Sequence, residues 1–161
     1  MLTKRLVLLS LFFCGCSTSI NHWQVDDITA GDQSFNVSRI RFASSQDHPS
    51  LVFEILKIGN EMNAFLRLTR FRFSTEIAKV SFTIGNETFE ESIPVHEGGM
   101  RLRLSSETTQ LITRALQEGQ KVDIVLDGFE ETLTPEQFSS AFTEFVNEAH
   151  FFQTLFKGPL K

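Results

Sequence analysis

The chain has 161 residues and a formal net charge of −5, a length that suits one globular domain because single hydrophobic cores are commonly built from about 100 to 150 residues. The acidic balance argues against nucleic acid binding, since a negatively charged domain repels phosphates. Seventeen Phe accompany one Trp and no Tyr, so the aromatic side chains are suited to packing and a sugar-stacking platform is not expected.

The first sixteen residues, MLTKRLVLLSLFFCGC, follow the order of a secretory signal: two cations, an apolar run and small residues. The apolar run is far shorter than the roughly 20 residues that span a bilayer. The segment Phe12-Phe13-Cys14-Gly15-Cys16 resembles the lipobox of bacterial lipoproteins. That resemblance implies that residues 1–15 are removed as a signal peptide and that Cys16 becomes the lipidated N-terminus. The alternatives are a plain secretory peptide, a short uncleaved anchor or a cut at Cys14.

Cleavage before Cys16 has three consequences. Loss of Lys4 and Arg5, with no acidic residue, changes the formal charge from −5 to −7. Cys14 leaves with the leader and Cys16 is acylated, so no disulfide is expected. In the enterobacterial lipoprotein pattern, a residue such as Ser17 after the cysteine implies sorting to the outer membrane, with the domain facing the periplasm.

Residues 16–34 are polar and irregular, which predicts a lipidated N-terminus and a tether. Beyond them, alternating apolar residues predict strands within 39–42, 51–56, 62–73, 80–84, 88–93 and 100–104. The alternation in 62–73 changes phase after Leu68, which predicts a bulge near Thr69. Gly85-Asn86 predicts a tight hairpin between two of the strands.

A helix is predicted after Ser105 and Ser106, with Leu111, Ile112, Ala115 and Leu116 on one face and Gly119 as its end. A second hairpin is predicted at Asp127-Gly128, between strands over 122–126 and 129–133. Thr134-Pro135-Glu136-Gln137 has the pattern of a capping box at the start of a helix. In that helix Phe138, Ala141, Phe142, Phe145, Ala149, Phe152 and Phe156 form one apolar stripe. The default interpretation is that the stripe covers the domain's own sheet, and the alternative is that it docks another envelope protein.

These elements predict an α+β fold: a mainly antiparallel sheet or sandwich with one short helix and a C-terminal amphipathic helix packed on it. The single β-rich domain is expected to cover residues 35–161. The run from Leu111 to Leu126, followed by 138–145, resembles the C-terminal pattern of invasion-associated locus B-like periplasmic proteins. The resemblance implies a β-sandwich envelope protein, although Thr134-Pro135 replaces the family's usual glycine and its paired cysteines are absent.

Catalytic and metal-binding patterns are missing from the sequence. The histidines His22, His48, His96 and His150 have no second ligand at metal-binding spacing, so no metal or other cofactor is expected. The run His96-Glu97-Gly98-Gly99 is interpreted as a solvated turn, with a binding loop as the alternative. The acidic pairs 26–27, 90–91 and 130–131 are interpreted as solvated surface, because adjacent carboxylates in a strand point to opposite faces.

Six arginines form the one charged constellation that the sequence singles out: Arg39, Arg41, Arg70, Arg72, Arg101 and Arg103. Each pair occupies alternate positions of an expected strand. If the strands are neighbours, the pairs form a cationic patch for lipid headgroups, lipopolysaccharide phosphates or an acidic partner. The alternative is that they pair with Glu and Asp across an exposed sheet face.

The sequence therefore predicts a non-enzymatic envelope lipoprotein that serves a membrane as an accessory or protein-interaction subunit, with an envelope protein as its partner. One alternative is a periplasmic protein that binds a lipid or another small ligand. A small hydrolase with a site assembled from scattered residues is the remaining alternative.

Overall fold

The computed structural model describes residues 22–28, 37–43, 50–58 and 61–155. The expected leader, the lipidation site Cys16 and the last stripe residue Phe156 lie outside the described residues. Within the described residues the chain forms nine strands and two helices, in the order β1 (His22–Ile28), β2 (Val37–Ala43), β3 (Leu51–Ile58), β4 (Glu61–Leu68), β5 (Ile77–Ile84), β6 (Glu87–His96), β7 (Arg101–Arg103), α1 (Ser106–Gln117), β8 (Val122–Leu126), β9 (Phe129–Leu133) and α2 (Phe138–Leu155).

The nine strands form one sheet in the order β1-β2-β3-β4-β7-β6-β5-β8-β9. All neighbouring strands are antiparallel, which confirms the predicted α+β fold with an antiparallel sheet. Strand β7 is inserted between β4 and β6, so the sheet order departs from the chain order there. Helix α2 contacts β1 and β2, α1 contacts β4 and β8, and β9 contacts β3 across the core.

The hydrophobic core lies between the helices and one face of the sheet, which we call the inner face. Strand residues alternate between this face and the opposite, outer face. Phe53, Phe82, Phe138 and Phe145 are each at most 1% exposed. The prediction that the aromatic stripe of α2 covers the domain's own sheet is therefore confirmed for the stripe residues whose burial is described, with Phe142 partly buried against the same core.

The local turn and cap predictions are largely confirmed. The hairpins turn at 85–86 and 127–128, where Gly85, Asp127 and Gly128 have positive φ. Ser105 is the N-cap of α1 and its side chain accepts a hydrogen bond from the backbone N–H of Thr108. Of the four residues predicted to share one face of α1, Ile112, Ala115 and Leu116 are buried, whereas Leu111 is 39% exposed.

The first strand corrects the interpretation of residues 16–34 as a tether. Residues 22–28 form β1, which pairs along its whole length with β2. Trp23 is 6% exposed and its ring lies 5.1 Å from Phe42 and 4.7 Å from Phe138. The folded domain thus extends back to His22 at least, because Trp23 fills the space between the sheet and α2.

The start of α2 also differs from the predicted capping box. The helix begins at Phe138, and Gln137 has a φ of 66°, which is left-handed rather than helical. The indole Nε1 of Trp23 donates to the carbonyl of Thr134 at 2.9 Å, and the backbone N–H of Phe138 donates to Pro135 at 3.0 Å. Residues 134–137 therefore form a tight turn where a first helical turn was predicted. The hydrogen bond from Trp23 holds the start of this turn against the sheet.

Strand β4 ends at Leu68, so the predicted strand over 62–73 is too long and the predicted bulge near Thr69 is wrong. The backbone N–H of Thr69 donates to Ser50 at 3.0 Å and that of Phe73 donates to Gly99 at 2.7 Å. The change of phase after Leu68 arises because the chain leaves the sheet there. Phe73 then returns to the core, where it is 8% exposed.

Candidate functional site

The candidate site lies on the outer face of the sheet, opposite the hydrophobic core. The register places Arg41, Glu54, Phe65 and Arg103 in one row across β2, β3, β4 and β7. Residues directly opposite each other on neighbouring strands have side chains on the same face. Alternation along each strand therefore gathers charged residues from four strands on this face.

Glu54 is the centre of an ion-pair network on this face. Its side chain is only 6% exposed, and its carboxylate lies 3.0 Å from Nη2 of Arg101 and 3.9 Å from Nη1 of Arg39. Asp26 accepts a hydrogen bond from Arg39 at 2.9 Å and lies 3.4 Å from Nε of Arg41. A buried carboxylate requires such partners, because removing an unpaired charge from water costs several kcal/mol. The network thus holds Arg39, Arg41 and Arg101 in fixed positions.

Beside Glu54, an open cavity of about 430 Å³ is lined by Phe65, His96, Arg101 and Arg103. The guanidinium carbon of Arg101 lies 3.7 Å from the centre of the Phe65 ring, a cation–π geometry. Arg103 donates a hydrogen bond to the side-chain oxygen of Asn63. The cavity is therefore lined by the aromatic ring of Phe65 and by the guanidinium groups of Arg101 and Arg103, whose orientations are set by their contacts. Such an arrangement suits an anionic ligand.

The six arginines of the sequence analysis do not lie in one row. Arg39 and Arg41 are in β2, and Arg101 and Arg103 are in β7, with β3 and β4 between them. Glu54 joins the two strands' cations through Arg39 and Arg101. Arg70 and Arg72 are not strand residues as expected, because β4 ends before them; both are exposed in the segment that follows it. Arg39, Arg41 and Arg101 pair with acidic residues, the alternative that the sequence left open.

Sequence reasoning missed two members of the site, Glu54 and Phe65, and it included His96 only through the alternative of a binding loop. Glu54 is a single acidic residue within the apolar run of β3, and that is a usable signal for a buried ion pair. His96 was assigned to a solvated turn, and the structure places it at the end of β6 in the cavity lining. The sheet order brings it there, because His96 is the pairing partner of Arg101 in β7.

The acidic pairs are less solvated than expected. Within 130–131, Glu130 is exposed and Glu131 is 8% exposed on the inner face, which agrees with adjacent carboxylates pointing to opposite faces. In the pair 26–27, Asp26 holds the two arginines of β2 and Asp27 accepts a hydrogen bond from Ser38 at 2.9 Å. These carboxylates therefore hold neighbouring strands together.

Among the residues that the structure describes, no cluster of three or more His, Cys, Asp or Glu side chains has the geometry of a metal site. The same part of the chain has no helix with both the length and the apolar character needed to cross a bilayer. No family model, curated protein or solved structure matches this chain. The resemblances to lipoproteins and to invasion-associated locus B-like proteins therefore stay predictions.

Proposed function

We propose that this chain is a bacterial envelope lipoprotein that is held on a membrane by acylated Cys16, with a domain that serves as a non-enzymatic accessory or protein-interaction subunit. The observation that carries the proposal is the leader, in which two cations, an apolar run and Gly15-Cys16 stand in the order of a lipoprotein signal. Ser17 supports placement at the outer membrane, facing the periplasm. Acyl chains contribute about 0.8 kcal/mol per buried methylene, so two or three chains give stable anchoring.

The distance between the anchor and the folded domain supports a role at the membrane surface. β1 begins at His22, six positions after Cys16. Six residues span about 20 Å when fully extended. An acylated Cys16 would therefore keep the start of β1 within about 20 Å of the lipid headgroups, and a partner would be met close to the membrane.

Ligand binding is the second candidate function, and the cavity beside Arg101 favours it. A volume of about 430 Å³ is within the range of small-molecule sites, and its arginines select for an anion. On the inner face the phenyl rings of Phe53, Phe82, Phe138 and Phe145 pack into the core. If the chain is a periplasmic ligand-binding protein, its ligand is therefore expected to be a small anion bound on the outer face. An apolar ligand bound within the sheet is less expected, because phenyl rings fill that space.

The anchor is tested by labelling bacteria that express the chain with radioactive palmitate. Wild type should incorporate the label and Cys16→Ala should not, since that substitution removes the acylated thiol. Cys14→Ala is the matched control and should label like wild type. Label in Cys16→Ala, or none in wild type, would contradict anchoring at Cys16.

The accessory role is tested by crosslinking the same strains and identifying captured proteins by mass spectrometry. The proposal expects one envelope protein in stoichiometric amount with wild type and with Cys14→Ala, and a strong loss with Cys16→Ala. If labelled wild type reproducibly captures no protein, the chain is anchored but has no protein partner, and the ligand-binding function takes precedence.

A further inference from the structure

The cavity and the start of β1 lie at the same end of the sheet, on strands that are four steps apart in the sheet order. His22 pairs with the last residue of β2, while Val52 pairs with Arg67, Arg67 with Arg101, and Arg101 with His96. Strands are spaced by about 4.8 Å, so the four steps from β1 to β7 correspond to about 19 Å. The cationic cavity is thus about 19 Å from His22, and His22 is at most about 20 Å from Cys16. Both distances are short enough for the cavity to lie near a membrane that holds Cys16.

Two further arginines lie in the segment that follows β4, which packs on the turn that joins His96 to Arg101. Arg70 and Arg72 are exposed, and Phe71 between them is 50% exposed. This segment packs on the turn that precedes β7: a Cβ atom at Gly99 would lie 3.6 Å from Cβ of Arg72. The ring of Phe71 lies 5.2 Å from that of Phe129 in a tilted arrangement, which holds the half-exposed side chain against β9.

The charge of these arginines is available to a ligand. Among the carboxylates whose side chains the structure describes, a set that does not include Glu97, none lies within 4 Å of the guanidinium groups of Arg70, Arg72 or Arg103, whereas Arg101 pairs with Glu54. The whole chain has a formal charge of −5. Arg70, Arg72 and Arg103 therefore carry charges that no described ion pair neutralises, and an anionic surface would attract them.

We propose that Arg70, Arg72, Arg101, Arg103 and His96, which we call the anchor-proximal basic face, bind the phosphate groups of anionic phospholipids in the membrane that holds Cys16. The inference rests on the proposed lipid anchor, because the short spacer is what brings this face to the headgroups. Guanidinium groups match phosphate with two parallel hydrogen bonds. Phe71 would enter the boundary between headgroups and acyl chains, where apolar side chains of peripheral proteins are buried.

The test measures how the full-length chain partitions onto vesicles of phosphatidylcholine alone or mixed with phosphatidylglycerol. The variant Arg70→Gln/Arg72→Gln removes two exposed charges outside the strands. Its control, Arg114→Gln/Lys121→Gln, removes two exposed charges at the end of α1 and before β8. Both variants leave Cys16 in place and change the net charge equally, and circular dichroism checks that both fold.

Each arginine near an anionic surface contributes a factor of about 5 in binding. We therefore expect the Arg70→Gln/Arg72→Gln variant to bind phosphatidylglycerol vesicles about 25-fold more weakly than wild type, with unchanged binding to phosphatidylcholine. The control variant should stay close to wild type, and added salt should reduce the difference. Equal losses in the two variants would overturn the proposal, since they would reflect net charge alone.

Two additional arms separate the sources of the anion and the two proposals. Binding of inorganic phosphate that is lost in the Arg70→Gln/Arg72→Gln variant, with no binding of wild type to phosphatidylglycerol vesicles, would assign the face to free phosphate and overturn a headgroup site. Loss of a crosslinked protein from the Arg70→Gln/Arg72→Gln variant, with vesicle binding intact, would assign the face to an acidic protein and overturn the membrane proposal. Palmitate labelling of Cys16 does not depend on these arginines. A chain that is not labelled but binds phosphatidylglycerol vesicles would contradict the lipid anchor alone. A labelled chain that does not bind these vesicles would contradict the basic face alone.

Discussion

Replacing Glu54 by glutamine removes the negative charge at the centre of the outer face and keeps the shape of the side chain. In the wild-type chain, the carboxylate is 3.0 Å from Arg101 and 3.9 Å from Arg39. The variant would leave two guanidinium groups, with side chains 17% and 25% exposed, facing a neutral amide. We expect the free energy of unfolding to fall by about 2 to 4 kcal/mol.

The magnitude follows from the burial of the three groups. Two unit charges about 4 Å apart attract by about 4 kcal/mol at an effective dielectric constant of about 20, and the cost of removing them from water offsets part of that. Removing one partner from a fully buried pair costs about 3 to 5 kcal/mol. Both arginines keep some solvent contact, which lowers the expected loss toward the lower part of this range.

Urea unfolding at neutral pH measures the effect, from the shift of the midpoint at a constant slope. The matched control is Asp26→Asn, which removes a carboxylate from the same network where its side chain is 37% exposed. That substitution should cost about 1 kcal/mol or less, because exposed ion pairs contribute little. If Glu54→Gln lowers the free energy of unfolding no more than Asp26→Asn, then Glu54 is not the buried centre of the network.

Two substitutions and one titration test the core and the turn before α2. Trp23→Phe should lower the free energy of unfolding by about 1 kcal/mol through loss of the hydrogen bond to the carbonyl of Thr134, and a stability equal to wild type would exclude a contribution from that bond. Gln137→Gly should raise the free energy of unfolding by about 0.5 kcal/mol because the φ of 66° strains a residue with a side chain; a loss measured by urea unfolding would contradict this. The pKa of Glu136 is lowered by a backbone hydrogen bond of its own residue and then by one from Thr134, so Glu136 favours folding above its unfolded pKa and this contribution disappears as pH falls through the lower, folded pKa. An NMR titration that finds the Glu136 pKa at or above its ordinary value would refute the described turn.

Features that depend on a few neighbouring residues could be predicted from the sequence. The hairpins at Gly85-Asn86 and Asp127-Gly128 follow from residues that accept positive φ at low cost. The N-cap at Ser105 and the end of α1 near Gly119 follow from the same local chemistry. The α+β class could be predicted because these local features, combined with alternating apolar residues, leave few ways to connect the elements.

Features that depend on distant contacts could not be predicted. β1 contains Asp26 and Asp27 and appears irregular on its own, because its burial comes from the contacts of Trp23 with Phe42 and Phe138. The capping box failed for a related reason, since Trp23 binds the carbonyl of Thr134 and the helix starts later.

The candidate site shows the same division between local and distant information. Alternation correctly placed Arg39 and Arg41 on one face of β2, and Arg101 and Arg103 on one face of β7. The distance between the arginine pairs of β2 and β7 depends on the insertion of β7 beside β4. This insertion could not be predicted, because consecutive strands are the usual neighbours in a sheet. The position of Glu54 within the apolar run of β3 signals a buried ion pair, but its two arginine partners could be identified only from the sheet order.

Mass spectrometry of the N-terminal peptide, from the chain purified from bacterial membranes, would show whether Cys16 anchors the domain to a membrane. We expect a peptide that begins at Cys16 and carries the added mass of a diacylglyceryl group, with residues 1–15 missing. A peptide that begins elsewhere, or one that begins at Cys16 with an unmodified thiol, would contradict lipid anchoring and the membrane orientation of the basic face that depends on it.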